Sequence, residues 1–307
     1  MGGDLFLSTL LECKHSFYAF SKENKPFMEV SSGSRITIET FDCFQNQIRS
    51  NDTSVTSIDW NKINPATGPV YVKEAKVGDV LKVKIENIEL DDLGVMAVGP
   101  DLGVMGHRIE KFEARVIPIK EGKAIFNETL QIPLNPMIGV IGVAPAGEEV
   151  SCGTPGSHGG NMDTTLITTG ATLYFPVFAD GALFGLGDLH AAMGDGEIGV
   201  SGIEIPGKVT VTLEVIKGHT IHHPVLENED GMAFIVSAKT LDEAVKTSVE
   251  VAIDTLLPQT DLTLNHFTMA MSAMGQTQIS QVVDPLLTAR FFVPKSFLDA
   301  YQITLFQ

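Results

Sequence analysis

Short strand-like runs separated by turn residues dominate the chain from about residue 30 to residue 217. Apolar and polar residues alternate in Arg35–Thr40, and Val209, Val211 and Leu213 alternate in the same way after Pro206-Gly207. Such alternation is typical of strands with one buried and one solvated face, and the Gly, Pro, Asn and Asp residues between the runs indicate turns. The pattern predicts a mainly β fold.

The pattern becomes helical in the last third of the chain. Thr240 and Glu243 have the spacing of a capping box, and apolar residues then recur at helical intervals until Pro258, which predicts a helix over 240–256. A second helix is predicted from about 260 to 275, and a shorter one at 278–287. We therefore divide the chain into a β region, 1–217, and an α+β region, 218–307, which is either a separate subdomain or a layer packed on the β region.

Composition excludes several classes of partner. The formal net charge is −17 and no block of Lys or Arg is present, so a phosphate backbone would be repelled and we expect no nucleic-acid partner. No apolar stretch reaches the about 18 residues of a membrane span. The three cysteines are scattered and odd in number, which favours reduced thiols, and we expect a cytoplasmic protein with no membrane partner.

Two glycine-rich segments concentrate polar side chains. Gly187–Glu197 contains Asp188 and His190 at i, i+2 spacing, followed by Asp195 and Glu197 at the same spacing. In an extended backbone, each pair would point to one side. The second segment, Ser157–Asp163, adds another histidine and further polar groups. Two such loops could close around a metal ion.

The residue types suggest roles. Zinc accepts imidazole and carboxylate together, whereas calcium prefers oxygen ligands, so Asp188 and His190 suit either ion. Glu197 is the expected general base, with Asp195 as an alternative. A carboxylate in a partly apolar cleft can have a raised pKa and still accept a proton. Asn161 is expected to hydrogen-bond the substrate carbonyl and support the oxyanion, with a glycine backbone N–H as the alternative donor. The alternative is that these side chains belong to solvated turns.

Cys152 lies six residues before His158, which raises the possibility of a thiol nucleophile. Its neighbours Ser151 and Gly153 supply no base. A buried cysteine usually behaves as a small apolar residue, so we expect Cys152 to be dispensable for chemistry.

Five separated motifs resemble the acetamidase/formamidase family in order and spacing, from about Phe17 to Pro294. They are Ile38–Asp42, Asn64–Val72 with Val77–Leu81, His158–Asp163, Gly187–Ala191 with Gly194–Glu197, and Ile279–Asp284. The resemblance implies a mainly β fold with tandem CUB-like or jelly-roll-like β-sandwich units and an α+β C-terminal portion. It also implies an enzyme that hydrolyses short linear amides to carboxylate and ammonia, commonly with a divalent metal.

The resemblance assigns site residues one by one. The positions that match the family's metal and active-site region are Asp42, His158, Asp188 and His190, and those that match the surrounding acid-rich motif are Asn161, Asp163, Asp195 and Glu197. We infer that the first four are the metal ligands. The chain departs from the family pattern at Met193, where Gln is usual, and at Thr277-Gln278, where a more charged pair is common. These departures concern amide specificity rather than the type of reaction.

The expected function is metal-assisted hydrolysis of formamide-type or acetamide-type amides, with zinc favoured over calcium and a small amide as the only ligand partner. The exposed edges of a large β region favour a homo-oligomer. A non-catalytic, calcium-binding sandwich that binds carbohydrate is the alternative, but one Trp and four Tyr are few for sugar stacking. A family member that is inactive, or that cleaves another C–N bond, is the remaining alternative.

Overall fold

The computed structural model describes residues 9–306, and strands dominate it. Among these residues, 22 strands form three sheets, and there are three α-helices. From residue 30 to residue 217 the described helices are single 3-10 turns only. The mainly β prediction is therefore confirmed, while the tandem CUB-like or jelly-roll-like assignment stays a prediction.

The first sheet has nine strands. Its spatial order is β1 (Thr9–Leu11), β5 (Ser34–Thr40), β18 (Gly207–Ile216), β7 (Val80–Leu90), β15 (Thr172–Pro176), β19 (Val225–Glu227), β20 (Gly231–Ala238), β22 (Leu287–Pro294) and β21 (Gln276–Gln281). Neighbouring strands are antiparallel except the parallel pair β1 and β5. Strands after residue 218 thus continue the sheet begun by the N-terminal half. The division at residue 217 stays a prediction.

The second sheet has eleven strands. Its main path is β11 (Gln131–Pro133), β10 (Lys123–Ile125), β9 (Glu113–Lys120), β8 (Leu93–Val98), β17 (Glu204–Ile205), β16 (Phe184–His190), β12 (Met137–Gly142) and β14 (Gly159–Asn161). Strand β6 (Ala66–Val72) also pairs with β16 and joins β2 (Ser16–Phe17) and β4 (Met28–Val30) to the sheet. A separate pair contains β3 (Ala19–Phe20) and β13 (Val150–Ser151).

The main core joins inward faces of the two large sheets. Ile36 and Ile38 from β5 belong to one buried apolar cluster with Ile138 from β12 and Leu186 from β16. All seven residues of β16 are buried, and β16 pairs with β6, β12 and β17. A strand buried in this way holds its polar residues in fixed positions away from bulk water.

The helices cover the C-terminal end of the first sheet. They are α1 (Leu241–Leu256), α2 (Leu264–Met274) and α3 (Lys295–Ala300). The Thr240 side chain accepts a hydrogen bond from the Glu243 amide at 3.2 Å, so the predicted N-cap and the helix are confirmed. None of the helices in the described part of the chain is long and apolar enough to cross a membrane.

The helix predicted at 278–287 is wrong. Residues Gln276–Gln281 form β21, which pairs with β22, and a turn joins the two strands. Eight residues of β22 pair on its other side with β20. These cross-strand contacts outweigh the local sequence preference, because strand formation depends on neighbouring strands rather than on the segment alone.

Phe267 joins α2 to the second apolar cluster. Its side chain is fully buried and meets the Phe297 ring edge-on at 5.3 Å. We expect Phe267→Ala to lower the free energy of unfolding by about 3–5 kcal/mol, because the deletion removes buried carbon and leaves a cavity. Urea denaturation gives the value. Met269→Ala, in the same helix but 67% exposed, is the control and should change stability by less than about 0.5 kcal/mol. Equal losses in both variants would contradict this packing.

Candidate active site

His190 lies at the centre of a buried group of carboxylates. Its Nε2 is 3.1 Å from Glu204 Oε2, 3.6 Å from Asp188 Oδ1 and 3.9 Å from Asp163 Oδ1. The side chains involved are 1–4% exposed. The backbone register places Glu204 of β17 directly opposite His190 of β16. Strand pairing therefore brings a distant acid to the predicted Asp188 and His190.

Three of the acids have unusual backbone conformations. Asp163, Asp188 and Glu197 have φ values of +41°, +55° and +46°, which place them in the left-handed region. Non-glycine residues rarely adopt this conformation, and it is concentrated at functional sites. Because Asp188 departs from extended geometry within β16, the direction of its side chain does not follow from the i, i+2 spacing. Its carboxylate nevertheless lies beside the His190 ring.

Gly139 makes space for two of these carboxylates. A Cβ atom at this position of β12 would lie 2.5 Å from Asp163 Oδ1 and 2.6 Å from Asp188 Oδ2. Both distances are too short for non-bonded atoms. A residue without a side chain is therefore required where the two carboxylates approach β12.

Burial shifts the protonation of the group. Burial raises the pKa values of Asp163, Glu197 and Glu204. A nearby carboxylate raises the pKa values of Asp163 and Glu197 further. Burial also opposes ionisation of Asp188 and His190, but their mutual attraction lowers the pKa of Asp188 and, together with Glu204, raises the pKa of His190. These shifts favour an Asp188–His190 ion pair when no cation is bound, and a cation bound to His190 would displace its proton.

The donor atoms of this group suit a cation. The buried atoms without a hydrogen-bond partner include both Asp163 oxygens, Asp188 Oδ1, both His190 nitrogens and Glu204 Oε2. Atoms of Asp163, His190 and Glu197 lie within 4.8 Å of one another, and so do those of Cys43, Asp188 and Glu204. Buried polar atoms are normally satisfied. A divalent cation would satisfy them here, and the mixture of imidazole and carboxylate fits zinc.

A small cavity of about 150 Å³ opens onto the carboxylates. Its polar side is formed by Asn161, Asp188, Glu197, Ser201, Glu204 and Asp284, and its other lining residues are Cys43, Phe44, Trp60, Ile63, Asn64, Ala97, Leu102, Phe112 and Val200. None of these lining residues is basic. The cavity therefore has an acidic side and a largely apolar side.

Asn161 and Asp284 meet at the polar side of the cavity. Asn161 Nδ2 donates to Asp284 Oδ2 at 3.0 Å, and the buried Asn161 Oδ1 has no partner. Burial and the neighbouring Glu197 raise the pKa of Asp284 to about 8. The fully buried Gln281 accepts hydrogen bonds from the amides of Val283 and Asp284 and so orders the turn that carries Asp284.

Asp195 faces a different environment from Glu197. Its side chain is 44% exposed and receives hydrogen bonds from Arg290 Nη2 at 2.6 Å and from Thr165 Oγ1 at 2.8 Å. Glu197 is buried next to Asp163. The left-handed Gly196 between the two acids turns the chain, so the pair does not share one side as an extended backbone would require.

Asp42 and His158 lie outside both ligand groups of the described residues. Asp42 Oδ1 accepts hydrogen bonds from the amides of Phe44 and Asn46, which orders the turn after β5. Burial raises the pKa of Asp42 to about 6. The His158 ring packs edge-on against Phe20 at 5.3 Å, and its buried Nε2 has no partner.

Cys152 is fully buried beside Phe20, and burial raises the pKa of its thiol well above the usual range. Its Sγ donates to the Phe17 carbonyl oxygen at 3.6 Å. A thiol in this environment is a weak nucleophile, since the thiolate is the reactive form.

Sequence reasoning missed three residues of the site. Glu204 is a lone acid between Ile203 and Ile205, so only its pairing with His190 reveals its position. Asp284 stands at the end of the last family-like motif, and that motif was its only signal. Cys43 directly follows Asp42, just after a strand, and no motif in the sequence marks it as a site residue.

The buried His158 should make stability depend on pH. Burial lowers the pKa of His158 from its ordinary value of 6.5 to about 4. Above pH 6.5 the residue is neutral in both states. Below this pH the unfolded chain binds a proton that the folded chain does not, so stability is lost as the pH falls towards 4. Glutamine does not bind this proton, so His158→Gln avoids the loss. When the pH is lowered from about 7.5 to about 5, the free energy of unfolding of wild type should therefore fall by about 2 kcal/mol more than that of His158→Gln.

Urea denaturation at the two pH values measures this difference. His107→Gln, which makes the same replacement in an exposed 3-10 turn, is the matched control. An equal difference between His158→Gln and wild type at both pH values would show that His158 titrates normally.

Comparison with solved structures shows close relatives over nearly the whole chain. A crystal structure of a "predicted acetamidase/formamidase" from Thermoanaerobacter tengcongensis is 53% identical, with a TM-score of 0.95, and the match covers 97% of this chain and 99% of that one. An acetamidase from Bacillus halodurans is 41% identical, with a TM-score of 0.94, over 96% of this chain and 100% of that one.

Curated relatives match over shorter lengths. A protein of Schizosaccharomyces pombe described as a "putative formamidase" is 25% identical, and the match covers 62% of this chain and 62% of that protein. The chain thus spans less than two thirds of the length of this relative. The model of the Acetamidase/Formamidase family matches residues 14–154 and 147–296. This chain therefore belongs to the Acetamidase/Formamidase family, a family of amidohydrolases that act on linear amides.

Proposed function

We propose that this protein hydrolyses the C–N bond of short linear amides, such as formamide and acetamide, to a carboxylate and ammonia with the assistance of a divalent metal. The observation that carries the proposal is the set of buried donor atoms without partners beside a cavity of about 150 Å³. Family membership supports the reaction class.

The size and charge of the cavity support a small, uncharged substrate. Pockets for drug-sized ligands have volumes of roughly 300–1,000 Å³, so this cavity suits a molecule of few atoms. Its lining contains acids but no basic residue, which disfavours amides that carry a carboxylate. Phe44, Trp60 and Phe112 form an apolar wall on which the acyl group would lie.

We propose that Asp163, Asp188, His190 and Glu204 hold the metal, without Asp42 and His158. The three carboxylates of this set lie around the His190 imidazole, whereas Asp42 is occupied by backbone amides and His158 packs on Phe20. Zinc is favoured over calcium because calcium prefers six or more oxygen ligands. A bound divalent ion polarises a carbonyl and lowers the pKa of bound water.

Glu197 is the proposed general base. Its carboxylate lines the cavity beside Asp163, and its raised pKa makes it a better proton acceptor than an exposed acid. Glu197 would take a proton from the attacking water and return it to the departing nitrogen. Asp195 retains a supporting role in this proposal through its contacts with Arg290 and Thr165.

Asn161 is proposed to orient the substrate. Because its Nδ2 already donates to Asp284, the side chain offers Oδ1 to the cavity. A carbonyl oxygen accepts hydrogen bonds, so Asn161 would bind the N–H group of the amide rather than its carbonyl. This geometry would also distinguish a primary amide from an ester, which has no N–H.

We place the protein in the cytoplasm as a homo-oligomer. Cys13, Cys43 and Cys152 are free thiols, which supports a reducing compartment. Strands β1 and β21 end the nine-stranded sheet, and such strand edges favour self-association.

The alternative function, a non-catalytic calcium-binding module, would use carboxylate ligands without histidine. His190 at the centre of the carboxylates disfavours this alternative.

Replacement of Glu197 tests the base. Glu197→Gln keeps the side-chain shape but cannot accept the proton, so kcat should fall by roughly 10²–10⁴, equivalent to about 3–5 kcal/mol of barrier. Ammonia release from formamide and acetamide gives kcat. Glu214→Gln, on the exposed part of β18, is the control and should keep wild-type activity. If Glu197→Gln is as active as the control, the base lies elsewhere.

Chelation and the Asp188→Asn variant test the metal. Removing divalent ions should abolish ammonia release, and added Zn²⁺ should restore it in wild type. Asp188→Asn removes one charge from the ligand group, so it should need at least about 10-fold more Zn²⁺ for half-maximal activity. Elemental analysis and the melting temperature provide independent readouts. Metal-free protein with full activity would contradict the proposal.

A further inference from the structure

We propose that Arg290 is a positioning residue that holds the two loops carrying Asp163 and Glu197 against each other. The inference rests on the proposed function, because it concerns residues of that site. Arg290 lies in β22 and is 2% exposed. It does not line the cavity, so its effect on catalysis must pass through other residues.

The first connection runs from Arg290 to the loop of Glu197. Arg290 Nη2 donates to Asp195 Oδ2 at 2.6 Å, and Asp195 precedes Glu197 by two residues. Thr165 Oγ1 donates to the second oxygen of Asp195 at 2.8 Å. The Asp195 carboxylate is thus fixed through both of its oxygens, one of them by a charged donor, which forms a stronger hydrogen bond than a neutral one.

The second connection runs to the loop of Asp163. Arg290 Nη1 donates to Ser280 Oγ at 3.0 Å, and Ser280 Oγ also accepts a hydrogen bond from Thr164 Oγ1 at 2.9 Å. Thr164 directly follows Asp163. The remaining donor, Arg290 Nε, contacts Gln278 Oε1 at 2.7 Å. One guanidinium group therefore joins both loops to β21.

The backbone adds a third contact at the same place. The Gly196 amide donates to the Ser280 carbonyl oxygen at 2.8 Å, and the Val282 amide donates to the Gly196 carbonyl oxygen at 3.1 Å. These bonds lay the loop of Glu197 alongside β21. Arg290 reinforces this alignment from the neighbouring strand, where it pairs with Gln278.

The site needs such support because Asp163 and Glu197 resist the arrangement. Both have left-handed backbone conformations, and carboxylate oxygens of the two residues lie within 4.8 Å of each other. Strained residues keep their conformation only where the surroundings enforce it, and two neighbouring carboxylates repel each other. Without Arg290, the loops have fewer contacts to oppose this separation.

Kinetics of three variants test the role. Arg290→Met should lower kcat by about 10²-fold, because a displacement of about 1 Å in a catalytic group has an effect of that size. KM should change by less than about 3-fold, since the lining of the cavity is kept. Arg290→Lys should recover part of the loss through its bond to Asp195. Arg35→Met removes an arginine from the exposed ion pair with Glu86 and should have no effect.

Hydrogen exchange separates this inference from the proposed function. Deuterium uptake by peptides covering 161–165 and 194–198 should be faster in Arg290→Met than in Arg35→Met, whether or not the wild type hydrolyses amides. An inactive wild type with faster exchange in Arg290→Met would reject the amidase proposal and keep the positioning role. Normal exchange and kcat within about 3-fold of wild type in a folded Arg290→Met would overturn the positioning role.

Ser280→Ala provides a second variant should Arg290→Met fail to fold. It removes the hydroxyl shared by Arg290 and Thr164 and leaves the guanidinium bonded to Asp195 and Gln278. The control is Ser248→Ala, which removes a hydroxyl bonded to the Val245 carbonyl oxygen within α1. Faster exchange in 161–165 and a lower kcat, both absent from this control, would support the connection. Unchanged exchange and kcat would refute it.

Discussion

The burial of acidic side chains around His190 is the constraint on which the rest of the site depends. Asp163, Asp188 and Glu204 are at most 3% exposed, and Glu197 is 7% exposed. An isolated carboxylate is strongly destabilised when it is removed from water. One imidazolium balances one of these charges. The others require protons, fixed hydrogen bonds or a cation, so the surrounding fold must hold each oxygen in place.

The sheets provide this rigidity. Strand β16 pairs with three other strands and carries Asp188 and His190, while β17 brings Glu204 to the imidazole. The residues that cannot be supplied by regular strands come from irregular backbone next to them, which explains the left-handed conformations of Asp163 and Glu197. A rigid framework with strained residues at its edges is a common arrangement in active sites.

Local patterns in the sequence predicted the helix over 240–256, because capping and helical spacing depend on residues a few positions apart. They also singled out Asp188 and His190, but the extended geometry assumed for this pair is wrong, because Asp188 is left-handed. The sequence could not predict the place of Glu204, which the pairing of β17 with β16 sets opposite His190, or of Asp284, which meets Asn161 from 123 positions further along the chain. Pairing of β21 with β22, and of β22 with β20, likewise gives a strand and a turn where a helix was predicted at 278–287. The separation of Asp195 from Glu197 depends on one left-handed glycine, Gly196, whose conformation has no clear local signal.

The raised pKa values link metal binding to pH. Asp163, Glu197 and Glu204 all have pKa values raised by burial, so protons occupy part of this group when no cation balances its charge. A metal ligand must be deprotonated, and ion binding therefore releases these protons. Lower pH favours the protonated group and weakens ion binding. The burial that raises the proton affinity of Glu197 as a base thus also makes the neighbouring ligands sensitive to pH, because one dielectric environment acts on both.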